Sequence, residues 1–132
     1  MTDKLAKALN QVLADSYTLY LKTHNYHWNV TGPHFSSLHI LFENQYNEIA
    51  LAVDVIAERI RALGHHAPGS YAEFGKLTTI TEAPAKPPKA MEMVKQLAGD
   101  QHKVVKAAHA ALKEAEALDD DPTVDLMTQR MA

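Results

Sequence analysis

Two long apolar periodicities separated by one short break constrain this chain more than any other feature. From about Lys4 to Val30, the residues Leu5, Leu9, Val12, Leu13, Tyr17, Tyr20, Leu21 and Trp28 recur at steps of three and four without proline or glycine. That period predicts a long amphipathic helix. Thr31, Gly32 and Pro33 interrupt it. A second run, roughly Phe35 to Leu63, carries Leu38, Leu41, Phe42, Ile49, Val53, Ile56, Ile60 and Leu63 on the same period, and Gly64 stands where a carboxy-terminal cap belongs. Together the runs make a helical hairpin.

Between His65 and Pro88, Pro68, Gly69, Gly75 and three further prolines predict a crossover loop with one short helix around Tyr71 to Lys76. Lys89 to Leu118 is rich in strong helix formers, and Met91, Val94, Leu97, Val105, Ala108 and Leu112 mark its expected buried stripe. Asp119 to Asp121 and Pro122 then read as a stop followed by a helix start. Helices of about 27 to 30 residues extend roughly 40 to 45 Å, whereas a final helix of about ten residues spans only about 15 Å. The fourth helix is therefore expected to be truncated, leaving part of the groove uncovered. With 132 residues, 46% of them hydrophobic, the chain suits one all-α domain spanning residues 1–132, a bundle with a short helix in its crossover.

The composition narrows the chemistry. Zero cysteines removes disulfides, thiolate metal sites and cysteine nucleophiles, so any metal must be held by nitrogen and oxygen. A net charge of -3 offers no general pull toward nucleic acid, and no apolar run of membrane-spanning length or secretory leader is visible, which makes the cytoplasm the expected location. Eight histidines is a high count for a residue that is the commonest metal ligand.

In LAVDVIAERI, Asp54 stands among apolar neighbours and Glu58 follows one turn later, so both carboxylates project from one helix face. A buried carboxylate there needs an ion pair, hydrogen bonds or a cation. The plain alternative is a surface ion pair of Glu58 with Arg59 or Arg61 beside a partly exposed Asp54. His27, five residues before Gly32, and His39, seven after it, come to a similar level in the hairpin. His39 and Asp54, however, are fifteen residues apart on one helix, roughly 22 Å along its axis. They cannot share an ion within one copy. At about 100° per residue, His39, Glu43, Asp54 and Glu58 fall within an arc of roughly 100°. An antiparallel second copy of that helix, related by a two-fold axis near Glu48 and Ile49, would bring histidines of one chain to carboxylates of the other, with two sites per dimer. Mixed imidazole and carboxylate ligands favour Fe(II), Zn(II) or Mn(II).

KTHNYHWNVTGPHFSSLH followed by DVIAER resembles the signature of the Dps family, the miniferritins of DNA protection during starvation, and the likeness runs over nearly the whole chain. The resemblance implies a ferritin-like four-helix bundle assembled as a homo-oligomer, a dodecameric shell built from two-fold dimers. It further implies a ferroxidase that oxidises Fe(II), preferably with hydrogen peroxide, at a di-iron or mono-iron centre between two subunits, and that stores ferric mineral inside, protecting the cell and its DNA from oxidative damage. On that likeness His27 and His39 are ligands from one subunit, Asp54 and Glu58 ligands from the other, and Glu43 a nearby acid. Trp28 corresponds to a tryptophan that accepts oxidising equivalents or packs the interface. Asp120, Asp121 and Asp125 correspond to acids lining a three-fold pore; their plain reading is helix capping. His24, His34, His65, His66, His102 and His109 match no ligand position.

Relatives that compact DNA carry a lysine-rich mobile tail, whereas here only Lys4 and Lys7 stand near the amino terminus, within expected helix. The competing readings are a nucleoid-associated DNA-binding structural protein with a vestigial metal site, and a plain helical-bundle interaction subunit.

Overall fold

The computed structural model describes all 132 residues and contains helices only. They are α1 (Asp3–Asn29), α2 (Phe35–Ala62), α3 (Tyr71–Leu77), α4 (Ala90–Ala117) and α5 (Asp121–Met131). α1 and α2 form the hairpin, α1 also packs on α4, and α5 turns back against α4. None of the helices is long and apolar enough to cross a membrane.

The helix ends follow local rules. Gly64, at φ +92°, closes α2 in the left-handed conformation, with the His65 amide donating to the Ile60 carbonyl and the Gly64 amide to that of Arg61. This is the Schellman pattern. α4 ends in the same way, with Asp119 at φ 54° in place of glycine and the Asp120 amide donating to Ala115. Ser70 caps α3 by accepting from the Glu73 amide, and the Glu73 carboxylate accepts in turn from the Ser70 hydroxyl and the Gly69 amide.

Two apolar clusters share the core. One joins Leu5, Leu9, Val12 and Leu13 of α1 to Ile56 and Ile60 of α2, Ala108, Ala111 and Ala115 of α4, and Met127 of α5. The other joins Leu19, Tyr26 and Val30 to Phe42, Ile49, Met93, Leu97 and Val104. The stripe on α4 therefore runs through Met93, Leu97, Asp100, Val104, Ala108, Ala111 and Ala115, close to a heptad spacing. This corrects the sequence expectation: Met91 is 66% exposed, and Val94, Val105 and Leu112 only flank the core. Buried alanines carry little apolar weight in a periodicity, so larger neighbours pull its phase off. Leu21, Trp28 and Leu41, also expected inside, are exposed.

Buried polar contacts fasten the crossover. Asp15 accepts from the Thr78 hydroxyl at 2.8 Å and from the Thr79 amide at 2.7 Å. Lys22 on α1 pairs with Asp100 on α4 at 2.7 Å and donates to the Thr81 carbonyl, so one ammonium joins two helices and the crossover. α5 has 11 residues against 28 in α2 and α4, as expected of a short fourth helix. Beyond it lies an open groove of about 840 Å³, bordered by Ile49, Leu51, Val55, Val105 and Arg130.

Candidate metal centre

The end of α1 and the start of α2 are locked to each other through two imidazoles. Nδ1 of His27 lies 2.7 Å from the carbonyl oxygen of His39, and Nδ1 of His39 lies 2.8 Å from that of His27. Only a protonated Nδ1 can donate to a carbonyl, so each ring carries a proton there, and in the neutral form Nε2 is the nitrogen left for a metal. Such second contacts orient imidazoles for metal binding. The rings stack with centroids 3.8 Å apart and planes within 15°. The sequence placed the two histidines at one level; the reciprocal carbonyl bonds that hold them were not visible in it.

Asp54 and Glu58 occupy the other half of α2 one turn apart; the Asp54 side chain, first as an acceptor for a shared proton and then as a charge, holds the Glu58 carboxyl above its ordinary value. The two acids thus compete for a proton, a conflict that a divalent cation relieves. Neither is buried in a single chain. The burial expected for Asp54 is thereby corrected: Val53 and Val55 flank it in sequence, but on a helix they point elsewhere. The ion pair weighed for Glu58 is also absent. Arg59 reaches Asp120 and Thr123, and Arg61 reaches the His65 carbonyl and His66.

No three of the potential metal-ligating side chains converge within one chain. The structure brings together His27 with His39, and Asp54 with Glu58, as two separate half-sites on the α1–α2 hairpin. Glu43 is exposed one turn after His39 on the same face. The donor types suit a borderline divalent cation: two neutral imidazole nitrogens and two carboxylates, without thiolate.

Around the histidines sits an aromatic group of which the sequence had singled out only Trp28. Trp28, 58% exposed, lies over His24 with centroids 3.9 Å apart. His24 stacks on Tyr46 at 4.1 Å, and Tyr46 stands edge-on to His27 at 5.2 Å. Burial, then electrostatic interaction with the neighbouring His27 ring, lowers the His24 pKa below its ordinary value. Tyr46 lies two turns after His39 on α2, a spacing from which its approach to the site was readable.

Of the three acids expected at a pore, Asp120 has a structural occupation. It caps α5, accepting from the amide and hydroxyl of Thr123, and pairs with Arg59 at 2.8 Å. Burial alone would raise its carboxyl; the Thr123 bonds and the Arg59 guanidinium together hold it below the usual value. Asp121 and Asp125 are exposed on the first turns of α5.

The ferritin-like domain family matches residues 6–132. DNA protection during starvation protein 2 of Bacillus anthracis is 35% identical over 96% of this chain and 86% of its own length. A low temperature-induced protein of Nostoc is 40% identical over 93% of the chain and 69% of that relative. Among solved structures, Dps from Staphylococcus aureus superposes with a TM-score of 0.91 at 37% identity, covering 96% of this chain and 85% of that one. A Vibrio cholerae Dps, described as a member of a broad superfamily of ferritin-like diiron-carboxylate proteins, gives 0.94 at 30% identity, covering 98% and 81%.

Proposed function

Because this chain belongs to the Dps family of ferritin-like proteins, we propose that it is a ferroxidase and iron store whose oxidation site forms between two copies. Fe(II) is the substrate. The observation that carries this reading is the pair of imidazoles with both Nδ1 atoms tied to backbone, leaving two Nε2 lone pairs with no carboxylate of the same chain in position to complete a site. Asp54 and Glu58 supply the missing charge from a partner laid antiparallel along α2. Exposed Trp28, Phe35 and Ile40 around the histidines give that partner an apolar surface to cover.

Each residue then has a defined task. His27 and His39 hold Fe(II) with neutral nitrogens. Asp54 and Glu58 neutralise its charge and favour the ferric state, with Glu43 as a nearby acid that accepts released protons. With hydrogen peroxide as oxidant, two Fe(II) and one peroxide combine with two waters to give two FeO(OH) and four protons. Both electrons needed to reduce peroxide come from iron, so no hydroxyl radical is left over. A dodecameric shell of such dimers stores the product, with Asp121 and Asp125, and Asp120 behind them, drawing cations toward the interior.

Direct DNA binding gains no support from the fold: Lys4 and Lys7 lie within α1, and Lys22 is buried against Asp100. The test of the main reading is stopped-flow Fe(II) oxidation by peroxide and by oxygen on Asp54→Asn/Glu58→Gln. Rapid oxidation should disappear, falling by about 100-fold or more, while helix content is retained. Unchanged kinetics would overturn it.

A further inference from the structure

Four of the five tyrosines and the single tryptophan lie along one continuous path. On α1, Tyr17, Tyr20, His24 and Trp28 follow at steps of three, four and four, a stripe roughly 16 Å long. From Trp28 the path crosses the His24 ring to Tyr46. It continues to Tyr20 at 6.0 Å, Tyr17 at 5.6 Å and Tyr71 of α3 at 6.4 Å. Its near end touches the metal-binding pair, since Tyr46 is 5.2 Å from His27. Its far end opens on a cavity of about 310 Å³ lined by Tyr17, Leu21, Tyr71 and Phe74, and Tyr71 is 73% exposed in the chain.

We propose that this aromatic run conducts single oxidising equivalents from the iron site to α3, an inference that rests on the iron-oxidation reading. Packing explains why aromatic rings meet at these separations. It does not explain the choice of residue: phenylalanine, which the core uses at Phe42 and Phe74, would pack at the same half-buried positions without a hydroxyl to satisfy. Phenol and indole are the side chains here that give up one electron most readily, and electron transfer falls off steeply with distance, so short ring-to-ring steps outrun one long jump.

The need arises when a site holds one Fe(II) and meets one peroxide. Iron supplies one electron, giving Fe(III), hydroxide and a hydroxyl-radical equivalent. That equivalent takes a hydrogen atom from the Tyr46 phenol and becomes water. Tyr46 then regains an electron and a proton as Tyr20 loses them, and the exchange repeats through Tyr17 to Tyr71. A small thiol in solution restores the last phenol and itself becomes a thiyl radical.

The test uses the assembled protein, loaded anaerobically with Fe(II) and mixed with one hydrogen peroxide per iron. Ferric absorbance, freeze-quench EPR and peptide mass spectrometry are read on the same samples. The unmodified chain should give a tyrosyl signal and oxidised Tyr71. Tyr17→Phe/Tyr20→Phe, which keeps the rings packed, should oxidise iron at the same rate, lose Tyr71 oxidation several-fold and gain oxidation at Tyr46 and Trp28. Tyr71→Phe, a surface change, should shift the product to Tyr17. An identical product distribution in the double variant, or oxidation confined to Trp28 in the unmodified chain, overturns the relay and leaves iron oxidation standing. Failure to form ferric iron at all overturns both.

Discussion

At the residue scale, the proposed site depends on which nitrogen each histidine exposes. The bonds from Nδ1 to carbonyls within the same hairpin fix that choice before any metal arrives, so the imidazole half-site is preorganised by backbone. The carboxylate half is poised differently. Glu58, whose pKa is raised by Asp54 as acceptor of a shared proton and then as a charge, keeps its proton to a higher pH than an ordinary glutamate. A folded-state pKa that is raised stabilises the fold below the unfolded value, and that contribution is lost as pH rises through the folded value. A cation entering the site must displace that proton, so metal affinity should weaken as pH falls through the range just above the usual glutamate value. Anaerobic Fe(II) titrations across that range should show this loss in the unmodified chain and its absence in Glu58→Gln, whose affinity is lower but flatter. Parallel pH profiles would show that Glu58 does not release a proton to metal. His27, His39, Asp54 and Glu58 stand out as candidates by residue type and helical spacing; the exposure of the acids does not, because burial in one chain is not encoded in neighbours along the sequence.

At the element scale, the five helices were legible from apolar period, glycine and proline breaks and the Asp119–Pro122 stop. The contacts that join them were not. Lys22 reads in the sequence as one more solvated lysine, yet its partner Asp100 lies on another helix, and pairing between distant residues leaves no periodic signal. The pair is nearly dry, with side-chain exposures of 4% and 8%. Removing one member strands the other charge, so Lys22→Met should destabilise the fold by about 3–5 kcal/mol. Lys22→Met/Asp100→Leu should recover much of that loss. Chemical denaturation of both variants decides the matter: a single variant as stable as the parent would mean that Asp100 finds another partner or water. The end of α4 predicts a gain. Asp119 holds a left-handed conformation that favours glycine, so Asp119→Gly should add up to about 1 kcal/mol in the same measurement.

At the scale of the whole molecule, one argument from helix rise outweighs every local feature. Fifteen residues of α-helix separate His39 from Asp54 by roughly 22 Å, and in keeping with that distance no three of the potential ligands converge within a chain. On the proposed reading a working centre therefore requires two copies, each giving nitrogens to one site and oxygens to the other. Complementation between two broken chains tests this most directly. His27→Ala/His39→Ala lacks every nitrogen donor and Asp54→Asn/Glu58→Gln lacks every carboxylate, so each assembled alone should oxidise Fe(II) no faster than buffer. Unfolded together in equal amounts and reassembled, half of the dimers pair one chain of each kind and hold one intact site, which should restore about a quarter of the unmodified rate. No recovery in the mixed assemblies, with both chains folded and paired, would contradict a centre shared between subunits.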